Sequence, residues 1–173
     1  KNIYTNGNVT LEGSARADLI SAKGWIYTKS GGTQGDLYAD KYINITNGSL
    51  KNANTFSYID WPSGGGTAQI LTAGGYVNFG SSSVNTIRAK GNVNLSTWGT
   101  VSDVMSEGKI KCVSTNWGNY TLLKAISFEL CPTKNATTLP AGTDSIVATG
   151  ALVTVTAPNK PLVNALSYES QAN

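Results

Sequence analysis

A nine-residue pattern recurs about every 17 residues through the first two thirds of the chain, and it constrains the fold more than any other feature. The pattern runs apolar, any, small, any, glycine, any, β-branched, any, apolar, and residues 20–28, 71–79 and 87–95 show it best. Seven copies can be aligned by their β-branched residue, at Val9, Ile26, Ile43, Ile59, Val77, Val93 and Ile110. A short fixed period with strand-type alternation inside it is typical of stacked coils, each too small to bury a core alone.

The alternation within each copy predicts which side chains face the core. Alternate residues of a strand point to the same side, so the apolar, small and β-branched positions face inward and the residues between them face outward. The remainder of each period is rich in Gly, Ser, Asn and Thr, which is typical of turns. The sequence therefore predicts an all-β fold, a parallel β-solenoid (β-helix) of about seven coils of 16–18 residues, right-handed by analogy with other crossover connections.

The last third of the chain follows the pattern less closely. Residues 121–130 alternate like a strand, and residues 146–154 match the repeat again after a long insertion. We therefore assign residues 1–118 to β-solenoid repeats and residues 119–173 to an irregular C-terminal β cap or to degenerate coils of the same domain. Terminal repeats of solenoids are commonly atypical because they must cover the end of the core. A separate β-hairpin that packs on the rod is the alternative.

The two cysteines, Cys112 and Cys131, are separated by 19 residues. If Cys131 follows the next strand back across the coil, the two thiols lie close enough to form a disulfide that joins the last regular coil to the cap. Closing a loop of that length contributes about 3 kcal/mol. The alternative is two unrelated thiols, with Cys112 filling an inward position as a small apolar side chain.

The composition argues against catalysis, metal binding and cofactors. The chain has no histidine, which removes the commonest general base, and two cysteines alone do not complete a zinc site. Outward carboxylates of successive coils can converge in a solenoid, yet Asp40 lies one coil from Lys23 in the same column and is better explained as half of a surface ion pair. Asp60 is isolated. We expect a protein that is not an enzyme.

One outward column is unusual because it carries aromatic side chains in four consecutive coils. The residue before each β-branched position reads Asn8, Trp25, Tyr42, Tyr58, Tyr76, Asn92 and Lys109. Aromatic rings aligned on an outer face suit stacking on sugar rings or burial against a partner protein. Alternatively, the C-terminal segment or a neighbouring subunit covers them. The aromatic residues of this column, Trp25, Tyr42, Tyr58 and Tyr76, are called the aromatic strip below.

The charge and hydropathy patterns bear on partners and location. Charged residues make up 13% of the chain, and the net charge of +3 comes from scattered lysines and arginines, so a nucleic-acid patch is not expected. The sequence contains no transmembrane run and no signal peptide. The chain begins at Lys1, from which we expect that an upstream segment has been removed and that any membrane attachment would run through it.

The repeats at residues 87–95 and 20–26 resemble the short coils of bactofilins and of β-solenoid domains in bacterial surface and type IV pilus-associated proteins. The resemblance covers about residues 3–112 and implies no particular site residues. Bactofilins are cytoplasmic and polymerise end to end, whereas the cysteine pair, the low charge and the aromatic strip of this chain favour the exported class. In pilin-like proteins a hydrophobic N-terminal helix precedes the soluble domain.

These observations lead to a functional hypothesis with two alternatives. The chain is expected to be a non-enzymatic bacterial module for structural display or adhesion, exported to the cell surface or a pilus, with no cofactor. Its partners would be protein subunits of that assembly or a glycan, bound through the aromatic strip. A self-polymerising, bactofilin-like scaffold is the alternative, and a carbohydrate-active enzyme comes third.

Overall fold

The protein is described by a computed structural model. The residues described are 1–29, 31–96, 99–112, 122–125, 127–129, 145–148, 154–155, 163–164 and 169–170. In these residues all regular structure is β-strand, and every pairing between strands is parallel. The predicted parallel β-solenoid is confirmed.

Each of the seven predicted repeats supplies one strand to each of two sheets. The first strand of each coil belongs to the first sheet and the second strand to the second sheet, and in both sheets the strands of successive coils are neighbours. The strands of the seven repeats are β1 (Asn2–Thr5), β2 (Val9–Leu11), β3 (Leu19–Ala22), β4 (Ile26–Thr28), β5 (Asp36–Ala39), β6 (Ile43–Ile45), β7 (Asn52–Thr55), β8 (Ile59–Trp61), β9 (Thr67–Ala73), β10 (Val77–Phe79), β11 (Ser83–Ala89), β12 (Val93–Leu95), β13 (Thr100–Ser106) and β14 (Lys109–Cys112).

The strand register matches the repeat alignment without a shift. Val9 pairs with Ile26, Ile26 with Ile43, and the column continues without interruption to Ile110. The spacing between successive copies varies from 16 to 18 residues, and the turns absorb that variation. A slip of one residue would turn every inward side chain to solvent, so burial of the inward columns holds this register.

The core is a continuous stack of these inward columns. Ile20, Ile43 and Leu71 are fully buried, and so is Ala53, the smaller residue of the column that contains Ile20 and Leu71. Trp61 is the largest buried side chain, and its ring meets that of Phe79 edge-on, with centroids 6.0 Å apart. Burial of this apolar surface at roughly 25 cal/mol per Å² is the main stabilising contribution to the fold.

The strands of the first sheet are longer in the fifth, sixth and seventh coils, where each has seven residues. Within β9 two successive residues, Gln69 and Ile70, both lie at least partly exposed, which interrupts the alternation. Their N–H groups both donate to the Lys51 carbonyl oxygen, so two residues oppose one, as in a β-bulge. The burial patterns of β11 and β13 interrupt the alternation at the same place.

Six more strands extend the two sheets beyond the seven repeats. β15 (Leu122–Ala125), β17 (Ser145–Ala148) and β19 (Val163–Asn164) continue the first sheet, while β16 (Ser127–Glu129), β18 (Thr154–Val155) and β20 (Glu169–Ser170) continue the second. Most of residues 113–173 lies outside the described part of the chain, so the boundary at residue 118 stays a prediction. None of the described segments forms a helix long and apolar enough to cross a membrane.

Candidate functional site

The aromatic strip forms a continuous stack along the outside of the rod. The rings of Tyr42 and Tyr58 are 4.9 Å apart with planes inclined by 4°, and those of Tyr58 and Tyr76 are 4.7 Å apart and inclined by 6°. Trp25 continues the stack at 6.1 Å from Tyr42, with an inclination of 14°. All four side chains predicted to form one surface are therefore brought together by the fold.

Backbone hydrogen bonds set the spacing of the stack. The N–H of Ile26 donates to the Tyr42 carbonyl oxygen at 3.0 Å, and the N–H of Ile43 donates to the Tyr58 carbonyl oxygen, also at 3.0 Å. The N–H of Ile59 donates to the Tyr76 carbonyl oxygen at 3.1 Å. Because parallel strands repeat at about 4.8 Å, rings projecting from this ladder with equal side-chain torsions meet face to face.

The stacking decides which part of each ring a ligand can reach. Both faces of Tyr42 and Tyr58 lie against neighbouring rings, so only the outer faces of Trp25 and Tyr76 remain for another ring. The strip is nevertheless not buried, since Tyr76 is 39% exposed and the other three residues are half-buried. It therefore presents a row of ring edges and phenol hydroxyls rather than flat platforms for sugars.

Asparagine ends the stack on both sides. Asn8 precedes Trp25 in the column, and its Oδ1 atom accepts a hydrogen bond from the backbone N–H of Trp25 at 3.1 Å. Asn92 follows Tyr76, and its Oδ1 atom accepts one from the Lys109 N–H at 2.9 Å. In both cases the short side chain bonds to the backbone of the next coil.

A second outer column runs beside the aromatic strip and was not anticipated as a site. The Nδ2 group of Asn94 donates to Asn78 Oδ1 at 2.7 Å, and the Nδ2 group of Asn78 donates to Asp60 Oδ1 at 3.1 Å. These three residues, here called the amide row, lie two positions after Asn92, Tyr76 and Tyr58 and share their outer face. The signal was present in the repeat alignment, since the residue after each β-branched position includes Asn44, Asp60, Asn78 and Asn94 in consecutive coils.

The electrostatics of the two columns are coupled. Partial burial raises the pKa of Tyr58 above its usual value near 10, and the neighbouring phenols and the Asp60 carboxylate raise it further. Burial also raises the pKa of Tyr76, with Asp60 as the second cause. The phenols of both residues therefore keep their protons at neutral pH and can donate hydrogen bonds.

The carboxylates of the described region are dispersed. Lys29 Nζ lies 3.5 Å from Glu12 Oε1, and the N-terminal ammonium of Lys1 lies 2.5 Å from Asp18 Oδ2. The expected ion pair between Asp40 and Lys23 does not form within 4.0 Å, because both side chains project into solvent, where pairing gains little. No group of three acidic or cysteine side chains in the described residues is arranged to hold a metal ion.

The proposed disulfide is not tested by the structure. Cys112 ends β14, at the position that pairs with Leu95 in the adjacent coil. Cys131 lies outside the described residues. The Cys112–Cys131 link stays a prediction.

The chain matches no family model, no curated protein and no solved structure. The resemblance to bactofilins and pilus-associated solenoid domains therefore remains a prediction from the repeat pattern, and the site has to be interpreted from its own geometry.

Proposed function

We propose that this chain is a non-enzymatic, exported bacterial β-solenoid that serves structural display or adhesion at the cell surface or on a pilus. It holds the aromatic strip in fixed geometry and binds a partner subunit or a glycan through it. The observation that carries the proposal is the self-stacked but half-exposed row of Trp25, Tyr42, Tyr58 and Tyr76.

The chemistry of the strip favours contact along ring edges. Phenol hydroxyls and the amide row provide donors and acceptors, while the ring edges provide apolar area that is costly to leave in water. Since the rings are already ordered by stacking, little side-chain entropy is lost when a ligand settles on them. A partner protein strand or a glycan chain lying along the rod would use this row by hydrogen bonds, and sugar stacking would be restricted to the two ends.

The test separates the phenol hydroxyls from the rings. A Tyr42→Phe/Tyr58→Phe variant keeps the stack and removes two hydroxyls, while a Tyr42→Ala/Tyr58→Ala variant removes the rings as well. Tyr4→Ala/Tyr38→Ala is the control, because both tyrosines are exposed on the first sheet and away from the strip, at 68% and 44%. Binding is measured on glycan arrays and on pilus or cell-envelope preparations.

We expect the alanine pair to abolish binding, the phenylalanine pair to weaken it, and the control to bind like the wild type. Equal binding by all three variants would show that the strip is not the binding surface. Size-exclusion chromatography with light scattering over a concentration series tests the scaffold alternative. If the protein grows into long species as its concentration rises, and the alanine pair does the same, then end-to-end polymerisation replaces display as the proposed function.

A further inference from the structure

A groove lies where the strands of the first sheet end and the chain turns towards the second sheet. The aromatic strip begins two residues further along each coil, on the second sheet's side of this corner. The volume of the groove is about 670 Å³, within the range of small-ligand sites, and its walls come from four successive coils. The residues that matter here are Phe56, Thr72, Gly74, Arg88 and Lys90, and the site is called the Phe56 groove below.

The groove exists because one side chain is missing from a column. Phe56, Gly74 and Lys90 occupy the same corner position in consecutive coils, since each follows a residue of the paired column Thr55, Ala73 and Ala89. The Gly74 N–H donates to the Thr55 carbonyl oxygen at 2.9 Å, and the Lys90 N–H donates to the Ala73 carbonyl oxygen at 3.1 Å.

Only glycine fits at position 74. A Cβ atom there would lie 2.9 Å from the Phe56 carbonyl carbon, with the carbonyl oxygen closer still. Two strand spacings then separate Phe56 from Lys90, about 9–10 Å with nothing projecting between them. A gap of that width accepts one flat ring standing against the Phe56 ring, with room for the Lys90 side chain on its other side.

The chemistry of the walls defines the ligand. The Phe56 side chain is 81% exposed, which is unusual for a large apolar ring and provides a stacking face. Arg88 and Lys90 project beside the gap, and in the described residues neither has a carboxylate oxygen within 4.0 Å. Glu107 lines the far end next to Lys90, but the neighbours of Arg88 in its own column, Thr72 and Met105, are uncharged.

We propose that the Phe56 groove binds a carboxylated pyranose, a uronic acid residue of an acidic polysaccharide. The apolar face of the sugar stacks on Phe56, and its carboxylate accepts a bidentate pair of hydrogen bonds from the Arg88 guanidinium. Lys90 adds a second positive charge, and the hydroxyl of Thr72, which also lines the groove, can bond to a ring hydroxyl. The groove shares no residue with the aromatic strip, so this site stands or falls independently of the function proposed above.

The test is calorimetric titration of the full chain with tri-galacturonic acid. The methyl-esterified trimer is the matched ligand, because it keeps the rings and removes the charge, and free galacturonic acid separates a polymer site from a monosaccharide site. Arg88→Gln removes the bidentate donor, Phe56→Leu removes the stacking face, and Thr72→Phe places a large side chain in the groove. Arg16→Gln, which changes an exposed arginine outside the groove, is the control.

We expect the acidic trimer to bind, with an affinity that falls as salt is raised, and the ester to bind at least tenfold more weakly. Arg88→Gln should weaken binding tenfold or more, Phe56→Leu about fivefold, and Thr72→Phe should abolish it, with the circular dichroism spectrum of each variant unchanged. Free galacturonic acid should bind more weakly than the trimer.

Three outcomes would overturn the proposal. They are equal binding of acid and ester, equal effects of Arg88→Gln and Arg16→Gln, and full displacement of the trimer by sodium sulfate at matched ionic strength, which would indicate a simple anion site. Binding of the free monosaccharide as tightly as the trimer would overturn the polysaccharide assignment and leave a small-acid site.

Discussion

The aromatic stack should stabilise the rod through contacts between adjacent rings, and the coupling between two rings measures this directly. Tyr58 contacts a ring on each side, at 4.9 and 4.7 Å, whereas Tyr76 contacts one aromatic ring of the strip. Aromatic ring pairs at such centroid distances contribute about 0.5–1.5 kcal/mol beyond the area they bury. Tyr58→Ala should therefore lose about 1–3 kcal/mol of unfolding free energy from stacking alone, roughly twice the stacking loss in Tyr76→Ala, in addition to what the buried area of the ring contributes.

A double-mutant cycle separates stacking from burial. We expect Tyr58→Ala and Tyr76→Ala to show a coupling energy of about 0.5–1.5 kcal/mol, because each substitution removes the same ring contact. Tyr42→Ala and Tyr76→Ala form the control cycle, since Tyr58 separates their rings, and their coupling should stay below about 0.5 kcal/mol.

The assay is urea unfolding followed by circular dichroism, with the transition compared among all variants for a constant slope. Repeat arrays can unfold in segments, and a change of slope would show that a variant has done so. If the adjacent and the separated cycles give equal couplings, the rings do not stabilise one another. The strip would then owe its geometry to the backbone ladder alone.

Three further predictions concern the buried Trp61, the groove residue Gly74 and the phenols of Tyr58 and Tyr76. Trp61→Ala should cost about 3–5 kcal/mol in unfolding free energy because it empties the largest buried site among the described residues. Trp61→Phe should cost much less, because it keeps an aromatic ring there and removes a buried indole N–H that has no hydrogen-bond partner in the described part of the chain; urea unfolding checks both. Gly74→Ala should destabilise by about 1–3 kcal/mol, while Gly65→Ala, where a Cβ meets nothing within 4 Å, should leave the thermal midpoint unchanged. The raised pKa values of Tyr58 and Tyr76 favour the protonated phenols in the folded state, so stability should fall as pH rises from about 10 through those values. A Tyr58→Phe/Tyr76→Phe variant should lose less stability over the same rise in pH, which urea unfolding at each pH checks.

The sequence was sufficient to predict the fold and the register of seven coils. Inward and outward positions alternate with a period of two, and seven copies repeat the same small, apolar and β-branched columns, so only one alignment buries them all. The same alignment placed the aromatic strip on one outer face. Because burial determines which positions face inward, the residues between them in the same strand must face outward.

The arrangement of the strip could not be predicted in the same way. The periodicity places the Tyr58 ring on the outside, but it does not determine the side-chain torsion, which decides whether the ring turns its face to solvent or to Tyr42. Stacking on a neighbour 4.9 Å away removes the sugar-stacking faces that the sequence suggested. The amide row is difficult to predict for a different reason, since Asp60 pairs with the amide of Asn78 in the next coil rather than with a charged group.

A further face was hidden by irregular turns. Outside the nine-residue pattern, outward hydroxyl side chains succeed one another in consecutive coils, at Thr33, Ser49, Thr67, Ser83 and Thr100. Their spacing depends on insertions such as residues 63–66, and sequence alone gives no register for them. In the fifth, sixth and seventh coils this column belongs to the first sheet, because the long strands begin at Thr67, Ser83 and Thr100.

In a solenoid, function depends on how each outer column is filled, because the backbone ladder repeats every side-chain position at the strand spacing. Where a column repeats one kind of side chain, as in Tyr42, Tyr58 and Tyr76, the side chains pack against one another and leave mainly their edges for a partner. Where a column is interrupted, as by Gly74 between Phe56 and Lys90, the same spacing produces a gap of defined width with different chemistry on its two sides. The first arrangement suits contact with a long partner and the second suits recognition of a single ring. A rod that carries both on either side of one corner has the geometry to hold a chain and to discriminate among its residues.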